Sequence, residues 1–472
     1  MERPQRHEDG DPEEQEVLFA ERAEQQTEER PSRAASVATV PEHSVDHATG
    51  KKKEVLKSSK QMAFFNMFRA LVGSTILAVP YACANLGVIP FTIMMVCILA
   101  FVFYGMDLLL KVADDLAYTG ASYEQLIRKV LRKKWAVVLA QAMLVLLQIF
   151  KVVGHNIFIV QTLEHVLCVG IKSNYCMPRP YYVLLSFLFS APSYLVMNIS
   201  FYSYISLGSV VSVIGLILCM DFSSIYMLEK KGAAIEATPN FYKLPLFFSL
   251  VTHSLNGVGL AMPIRASLHD TTDFPKVSQF TTGFVFVIYY TSSVLASLAL
   301  GKDMNQISPL GFPLSDYKPL LFLLVIFSMI VFVTYPLHLF PVYTIALNSE
   351  TAKTYLEKAE DSEDKSRRTK RILYGARAFC LVAVYSIVIT APDFVSFLGM
   401  IGAVFATTFL YVFPVFLYNT HFKSKGELSK RTEIVNYFFM AAMVVMALIS
   451  TADALSNMFK SAPAKSGTPA AH

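Results

Sequence analysis

The sequence predicts an all-α membrane protein: eleven transmembrane helices, arranged as two inverted five-helix repeats plus one appended helix. Three observations carry this. Hydrophobic residues make up 54% of the 472-residue chain and charged residues only 16%. The mean hydropathy is +0.45. Two distant apolar segments are interrupted alike, Leu71 to Pro80 (LVGSTILAVP) and Leu255 to Pro263 (LNGVGLAMP), each a glycine kink followed by a proline. A backbone group left unpaired in hydrocarbon costs on the order of several kcal/mol, so an unwound helix persists only where protein, water or a ligand satisfies it. One such kink also suits plain helix packing; two in matching positions mark the cavity of a transporter with discontinuous helices.

Residues 1–60 read as a disordered acidic tail. Glu13, Glu14, Glu16, Glu21, Glu24, Glu28 and Glu29 dominate it, and a basic cluster of Lys51, Lys52, Lys53, Lys57 and Lys60 ends it at the membrane. No secretory signal peptide is recognised, and Glu14 to Phe19 is a near miss to an acidic dileucine sorting signal. Residues 61–457 form the transmembrane domain, followed by a short tail at 458–472. Eleven stretches approach the roughly 20 apolar residues that cross hydrocarbon. They cover about 62–87, 89–112, 136–166, 181–199, 203–228, 244–266, 279–300, 318–347, 373–391, 394–417 and 435–457. Between the second and third, Ser122 to Lys134 is amphipathic and basic, the pattern of a short interfacial helix.

Orientation follows from the loops. Arg128, Lys129, Arg132, Lys133 and Lys134 precede span three; Lys353, Lys358, Lys365, Arg367, Arg368, Lys370 and Arg371 precede span nine; Lys423, Lys425, Lys430 and Arg431 precede span eleven. All three loops share the side of the N-terminus, whereas Lys172, Arg179, Lys230, Lys231 and Lys302 are scattered on the other. The positive-inside rule then puts the N-terminus in the cytosol and the C-terminus outside or in a lumen. The broken helices are spans one and six. Five helices separate their starts, so the repeats are inverted and span eleven is the appendage. A net charge of +5 concentrated in such loops reports topology, and no nucleic-acid partner is expected; the lipid bilayer is the solvent.

Cys83, Cys97, Cys219 and Cys380 lie within spans and suit packing. Cys168 and Cys176 share the non-cytosolic loop after span three, where a disulfide is favoured over two free thiols. No Cys/His spacing resembles a metal site and no cofactor is expected. The sequon Asn198-Ile199-Ser200 falls in a cytosolic turn and is expected to be silent.

At the first break, the amides of Val72, Gly73, Ser74, Thr75 and Ile76 lose their helical acceptors at the start of a half-helix, which makes an anion site suited to a carboxylate. Gly73 allows close approach to the backbone, and the Ser74 and Thr75 hydroxyls add donors. At the second break, His253, Ser254, Asn256 and Gly257 turn carbonyls toward the same cavity, which suits an ammonium group. An anionic end and a cationic end describe a free amino acid. His253 either hydrogen-bonds the substrate and titrates or is a packing residue. Arg69, Asp107, Lys151, His155, Glu164, His338 and Arg377 are the other in-span ionisable residues, each a functional candidate. Lys151, His155 and Glu164 have the spacing of a polar stripe on span three; Glu164 and Asp107 sit close to span ends.

Gly73 to Ala82 resembles the first-helix signature of the amino acid/auxin permease family, and His253 to Pro263 followed by Asp273-Phe274-Pro275 resembles its sixth-helix region. Val331 to Val342, Gly154 to Leu167, and Ala391-Pro392-Asp393-Phe394 through Gly402 to Pro414 are similar to its proton-coupled amino acid transporter branch. The resemblance spans residues 60–425. It implies a LeuT-like fold of eleven helices and secondary active transport of amino acids, often with protons. Two positions depart from the pattern: Thr75 stands where family members usually have a second glycine, and Asn66 where proton-coupled members carry a histidine. The proton route then falls to His253, His155 or His338.

The expected function is therefore a non-enzymatic amino acid symporter, with the carboxylate at Val72–Ile76 and side-chain selection by spans three and eight. It belongs in the plasma membrane or a lysosomal or vacuolar membrane. No Gly-x-x-x-x-Gly-Lys-[Ser/Thr] phosphate loop argues for ATP hydrolysis. The alternatives are an amino-acid sensor signalling through the tail, or sodium-coupled or facilitative transport.

Overall fold

The computed structural model describes residues 59–461, apart from 119, 121–122, 171–175, 196–198, 235–239, 314–317, 360 and 391–392. The acidic tail, the tail beyond residue 461 and Asn198 of the sequon lie outside the described residues. The chain separates into two units. One contains Asn348–Ile372, in which Glu363 pairs with Arg367 at 2.6 Å, Asp364 pairs with Arg368 at 2.7 Å, and Arg368 lies over the Tyr355 ring. The other holds Lys57–Leu347 and Leu373–His472 and carries the candidate site.

Helices occupy the place of every expected span. The first is α1 (Lys60–Leu71), a 3-10 turn at Ser74–Leu77, and α2 (Val79–Leu86). Then come α3 (Val88–Asp115), the short α4 (Tyr123–Leu131), α5 (Lys134–His165), α6 (Arg179–Leu195) and α7 (Ile199–Lys231). The second broken span is α8 (Leu244–Ser254) with α9 (Val258–Ser267). After it follow α10 (Phe274–Leu300), α11 (Lys318–Asn348), α12 (Glu350–Glu357) and α13 (Ser362–Thr390). The tenth span is α14 (Phe394–Ile401), two π-turns at Gly402–Ala406 and Thr408–Val412, and α15 (Phe413–Ser424); α16 (Lys430–Ser461) ends the fold. Among the described residues eight helices are long and apolar enough to cross a membrane, and the bent pair α1 and α2 makes a ninth.

Burial separates centre from periphery. The span through α8 and α9 is 78% buried along its apolar window, against 17% for α16, whose Phe438, Leu448 and Phe459 face outward as lipid-contacting residues do. The last span is thus peripheral. Around α8 pack α2, α3, α14 and α16, and α10 braces α1, α2, α3 and α7. Two glycines set the closest approaches: a Cβ on Gly402 would lie 1.9 Å from the Ser249 carbonyl, and one on Gly105 2.0 Å from that of Leu410. The π-turn after Ile401 therefore lies directly on the α8 backbone.

The expected interfacial helix is α4. It buries Tyr123, Leu126 and Ile127 while Arg128 and Lys129 stay exposed, so one face packs and the other is polar. Ion pairs gather at the end of the bundle where α1 begins. Buried Arg265 of α9 meets Asp114 of α3 at 2.6 Å and donates to the Tyr118 carbonyl. Lys60 meets Asp273 at 2.8 Å, and Asp115 meets both His421 and Lys425 at 2.5 Å. The hydrogen bond from Lys425 to Asp115 raises that ammonium's pKa above its ordinary value.

Candidate functional site

The first break begins where α1 stops. The Val72 amide still reaches the Phe68 carbonyl at 2.8 Å, but Val72 turns extended (φ −96°, ψ 110°) and Gly73 more so (φ −138°, ψ −166°). The 3-10 turn that follows is closed by Ile76 to Gly73 (3.2 Å) and Ala78 to Thr75 (3.0 Å), which leaves the amides of Ser74 and Thr75 without a backbone acceptor. Pro80 in the first turn of α2 adds no donor that a helix would miss. The axes of α1 and α2 differ by 53°.

Tertiary contacts satisfy the carbonyls instead. The Tyr289 hydroxyl of α10 donates to the Leu71 carbonyl at 2.9 Å and touches the Gly73 amide and the Thr75 hydroxyl. Ser308 donates to the Leu77 carbonyl at 2.6 Å. Ser74 and Thr75 are buried, and the Ser74 hydroxyl has no partner. A Cβ on Gly73 would meet nothing within 4 Å, so space lies directly beside this backbone. Unpaired donors next to open space are the arrangement an anion fills.

The second break turns more tightly. Leu255 donates to Val251 and His253, Asn256 donates to His253 at 3.2 Å, Gly257 to Leu255 at 3.1 Å, and Leu260 to Gly257 at 3.1 Å. Of the four carbonyls expected to face the cavity, those of His253 and Gly257 are therefore taken by local turns, because a chain that unwinds through only three residues keeps short-range acceptors. The carbonyls of Ser254 and Asn256 accept no backbone amide among the described residues. His253 Nδ1 and Asn256 Oδ1 are buried without partners. The two breaks pack together: a Cβ on Gly257 would lie 2.8 Å from Met67 Cε and 3.0 Å from Leu71 Cδ2 of α1.

Spans three and eight meet through aromatic and imidazole rings. His155 lies 5.1 Å from the His338 ring and stacks at 6.3 Å on Tyr335. Lys151 stands one turn before His155 on α5. Glu164, by contrast, lies at the far end of α5, where it lines a cavity of about 670 Å³ with Tyr81, Gln161, His165, Asn305 and Asp393. The stripe read along span three is thus divided between the centre and this vestibule. Cys168 and Cys176, bonded to each other, also line it. Asp107 pairs with Lys111 at 2.7 Å on a half-exposed face, and the Arg377 guanidinium lies 5.4 Å from the Tyr343 ring.

Several contributors escaped sequence reasoning. Tyr289 and Ser308 cap the first break from more than 200 residues away. Asn156, Ser186, Ser190 and Tyr385 form a buried network, with Tyr385 donating to Asn156 at 2.8 Å and meeting Ser190 at 2.6 Å. Asp221 accepts from Ser292 at 3.0 Å between α7 and α10. The only local signal for any of these was a polar residue inside an apolar run.

A many-helix membrane protein with two broken spans packed against one another, each exposing unpaired polar groups, defines the class. A match to the transmembrane amino acid transporter family runs from residue 57 to 456, and the chain belongs to that family. The likeness to amino acid permeases read from the motifs is thereby borne out. Amino acid transporter AVT3B of Arabidopsis thaliana is 22% identical over 417 residues, covering 85% of this chain and 94% of that one. AVT3C of the same plant is 26% identical over 215 residues, 44% of this chain and 43% of its own. Sodium-coupled neutral amino acid symporter 2 of Danio rerio is 41% identical over 88 residues, 17% of each chain. A solved Na+-coupled sialic acid symporter in a substrate-bound outward-open state overlays with TM-score 0.47 and 13% identity, covering 85% of this chain and 90% of that one.

Proposed function

We propose that this protein is a secondary active transporter of amino acids, coupled to protons. The observation that carries the reading is the first break: two backbone amides and the Ser74 hydroxyl lie unpaired beside the open space at Gly73. A substrate carboxylate fits there, held by the Ser74 and Thr75 amides and the dipole of the half-helix. The carbonyls of Ser254 and Asn256 take the ammonium group, and His155, His338 and Tyr335 bound the side-chain space. His253, buried at the second break, is the first choice for the proton, with His155 and His338 as the others. The gradient does work only if the protonated protein binds substrate better than the neutral one.

Relatives carrying the name vacuolar amino acid transporter in two yeasts favour an endolysosomal or vacuolar membrane over the plasma membrane. The name of the zebrafish relative supplies the second reading, sodium coupling. The test is uptake of labelled amino acids into proteoliposomes with a pH gradient, choline replacing sodium. Flux should rise as the side bearing the disulfide is acidified, and His253→Gln should flatten that dependence more than it raises KM. Flux that vanishes in choline assigns the coupling to sodium. Binding without flux makes the protein a sensor.

A further inference from the structure

Span five carries a carboxylate that the candidate site does not use. Asp221 of α7 accepts from the Ser292 hydroxyl of α10 at 3.0 Å on Oδ2, and its Oδ1 is buried without a partner. Ser292 is itself buried, as is the adjacent Ser293, whose hydroxyl has no partner. Among the described residues Asp107, Asp114, Asp115 and Asp273 each meet a cation, and Asp221 meets none. The helix on which α7 chiefly packs is α10. Its only charge is Lys276, roughly 24 Å along the axis from Ser292, and on α7 the nearest charge is Glu229, roughly 12 Å past Asp221. The other titratable side chains near this level, Cys219 and Tyr226 of α7 and Tyr289 and Tyr290 of α10, are uncharged at neutral pH.

An ionised carboxylate inside a membrane bundle, with one hydroxyl donor and no cation, is costly and marks an ion or proton pathway. Binding a proton removes the charge. The helix that holds Asp221 also holds the first break. Tyr289 lies three residues before Ser292, hence on the same face of α10, and donates to the Leu71 carbonyl at 2.9 Å. Two hydrogen bonds from neighbouring turns of one helix therefore join Asp221 to the backbone where α1 unwinds. A displacement of α10 that alters one bond alters the other, because the turn between them is rigid.

We propose that Asp221 is a proton-binding residue of the transport cycle: its carboxylate takes up a proton on Oδ1 as substrate loads and gives it up as substrate leaves, and Ser292 and Tyr289 pass the change of charge to the first break. This inference rests on the reading of the protein as a proton-coupled transporter and adds a proton site at the first break to the histidine at the second. A sodium ion on the same carboxylate would present the same chemistry from another source.

Uptake and exchange of labelled alanine, leucine, glutamine, lysine and glutamate in proteoliposomes of the full chain separate these. Each coupling proton sustains about a tenfold accumulation per unit of pH gradient. In choline, at a clamped membrane potential, Asp221→Asn should therefore accumulate substrate about tenfold less than the wild type across one pH unit, while exchange without a gradient stays within about twofold. Asp221→Glu should restore the accumulation. Undiminished accumulation by Asp221→Asn overturns the inference, and so does joint loss of accumulation and exchange in a variant with wild-type Tm. Accumulation that requires sodium and disappears in Asp221→Asn assigns the carboxylate to that ion and also overturns it. If Asp221→Asn fails to fold, dicyclohexylcarbodiimide on the wild type decides, because this reagent adds to protonated carboxyl groups in apolar surroundings. Asp221 should then be modified increasingly as the pH falls, with accumulation lost in proportion; an unmodified Asp221 overturns the inference. A wild type that exchanges amino acids but accumulates none under a pH gradient overturns the proton coupling and this inference with it. One that exchanges none overturns the transporter reading.

Discussion

Replacing Gly73 with valine separates binding from folding. Its φ of −138° and ψ of −166° are extended values that a β-branched residue adopts readily. A Cβ there meets no atom within 4 Å. The fold should therefore tolerate the change, with stability altered by no more than about 0.5 kcal/mol. The added methyl groups occupy the space beside the Ser74 and Thr75 amides, where the carboxylate is proposed to sit. Losing one hydrogen bond to a charged group costs about 1.5–3 kcal/mol, which is roughly a 10- to 150-fold loss of affinity. The assay is the KM for counterflow beside thermal unfolding of the purified protein. Gly257→Ala is the counterpart, because its Cβ would press on Met67 Cε at 2.8 Å and Leu71 Cδ2 at 3.0 Å and so disturb packing. An unchanged KM in a normally folded Gly73→Val protein would remove the substrate from this break.

Two further outcomes test the framework around the site. Tyr289→Phe leaves the buried Leu71 carbonyl unanswered and should lower stability by about 1–3 kcal/mol, read as a fall in Tm; an unchanged Tm would show that the break does not depend on this cap. Gly402→Ala places a methyl group 1.9 Å from the Ser249 carbonyl, and backbone cannot yield as a side-chain tip does, so membrane yield and Tm should both drop. Wild-type yield and stability would mean that the contact between the π-turn and α8 relaxes freely.

The breaks were legible because glycine and proline act locally: Gly73 with Pro80, and Gly257 with Pro263, interrupt apolar runs whatever packs around them. The amphipathic α4 was legible for the same reason, since alternate burial of Leu126 and exposure of Arg128 is written into consecutive residues. What holds the breaks was not legible. Tyr289 reaches Leu71 across 218 positions, and nothing near either residue encodes their meeting. The turns at His253 and Leu255 were misjudged because a glycine announces that a helix stops but not how tightly the chain recloses. The π-turn at Gly402 depends on how close the α8 backbone lies, which is a property of the packed bundle.

The ion pairs and the vestibule lie at opposite ends of the bundle, which has a kinetic consequence. If the proposed transport cycle opens the end where α1 begins, the motion acts on Arg265, which is 3% exposed and tied to both Asp114 and Tyr118. The guanidinium is desolvated while the Asp114 carboxylate is half exposed, so parting them leaves a buried cation unanswered unless water enters with the motion. The tips of α3 and α9 are then constrained to travel together, and the rate of exchange between the two sides should follow the lifetime of that one pair. Lowering the barrier there would speed turnover without altering affinity at the centre.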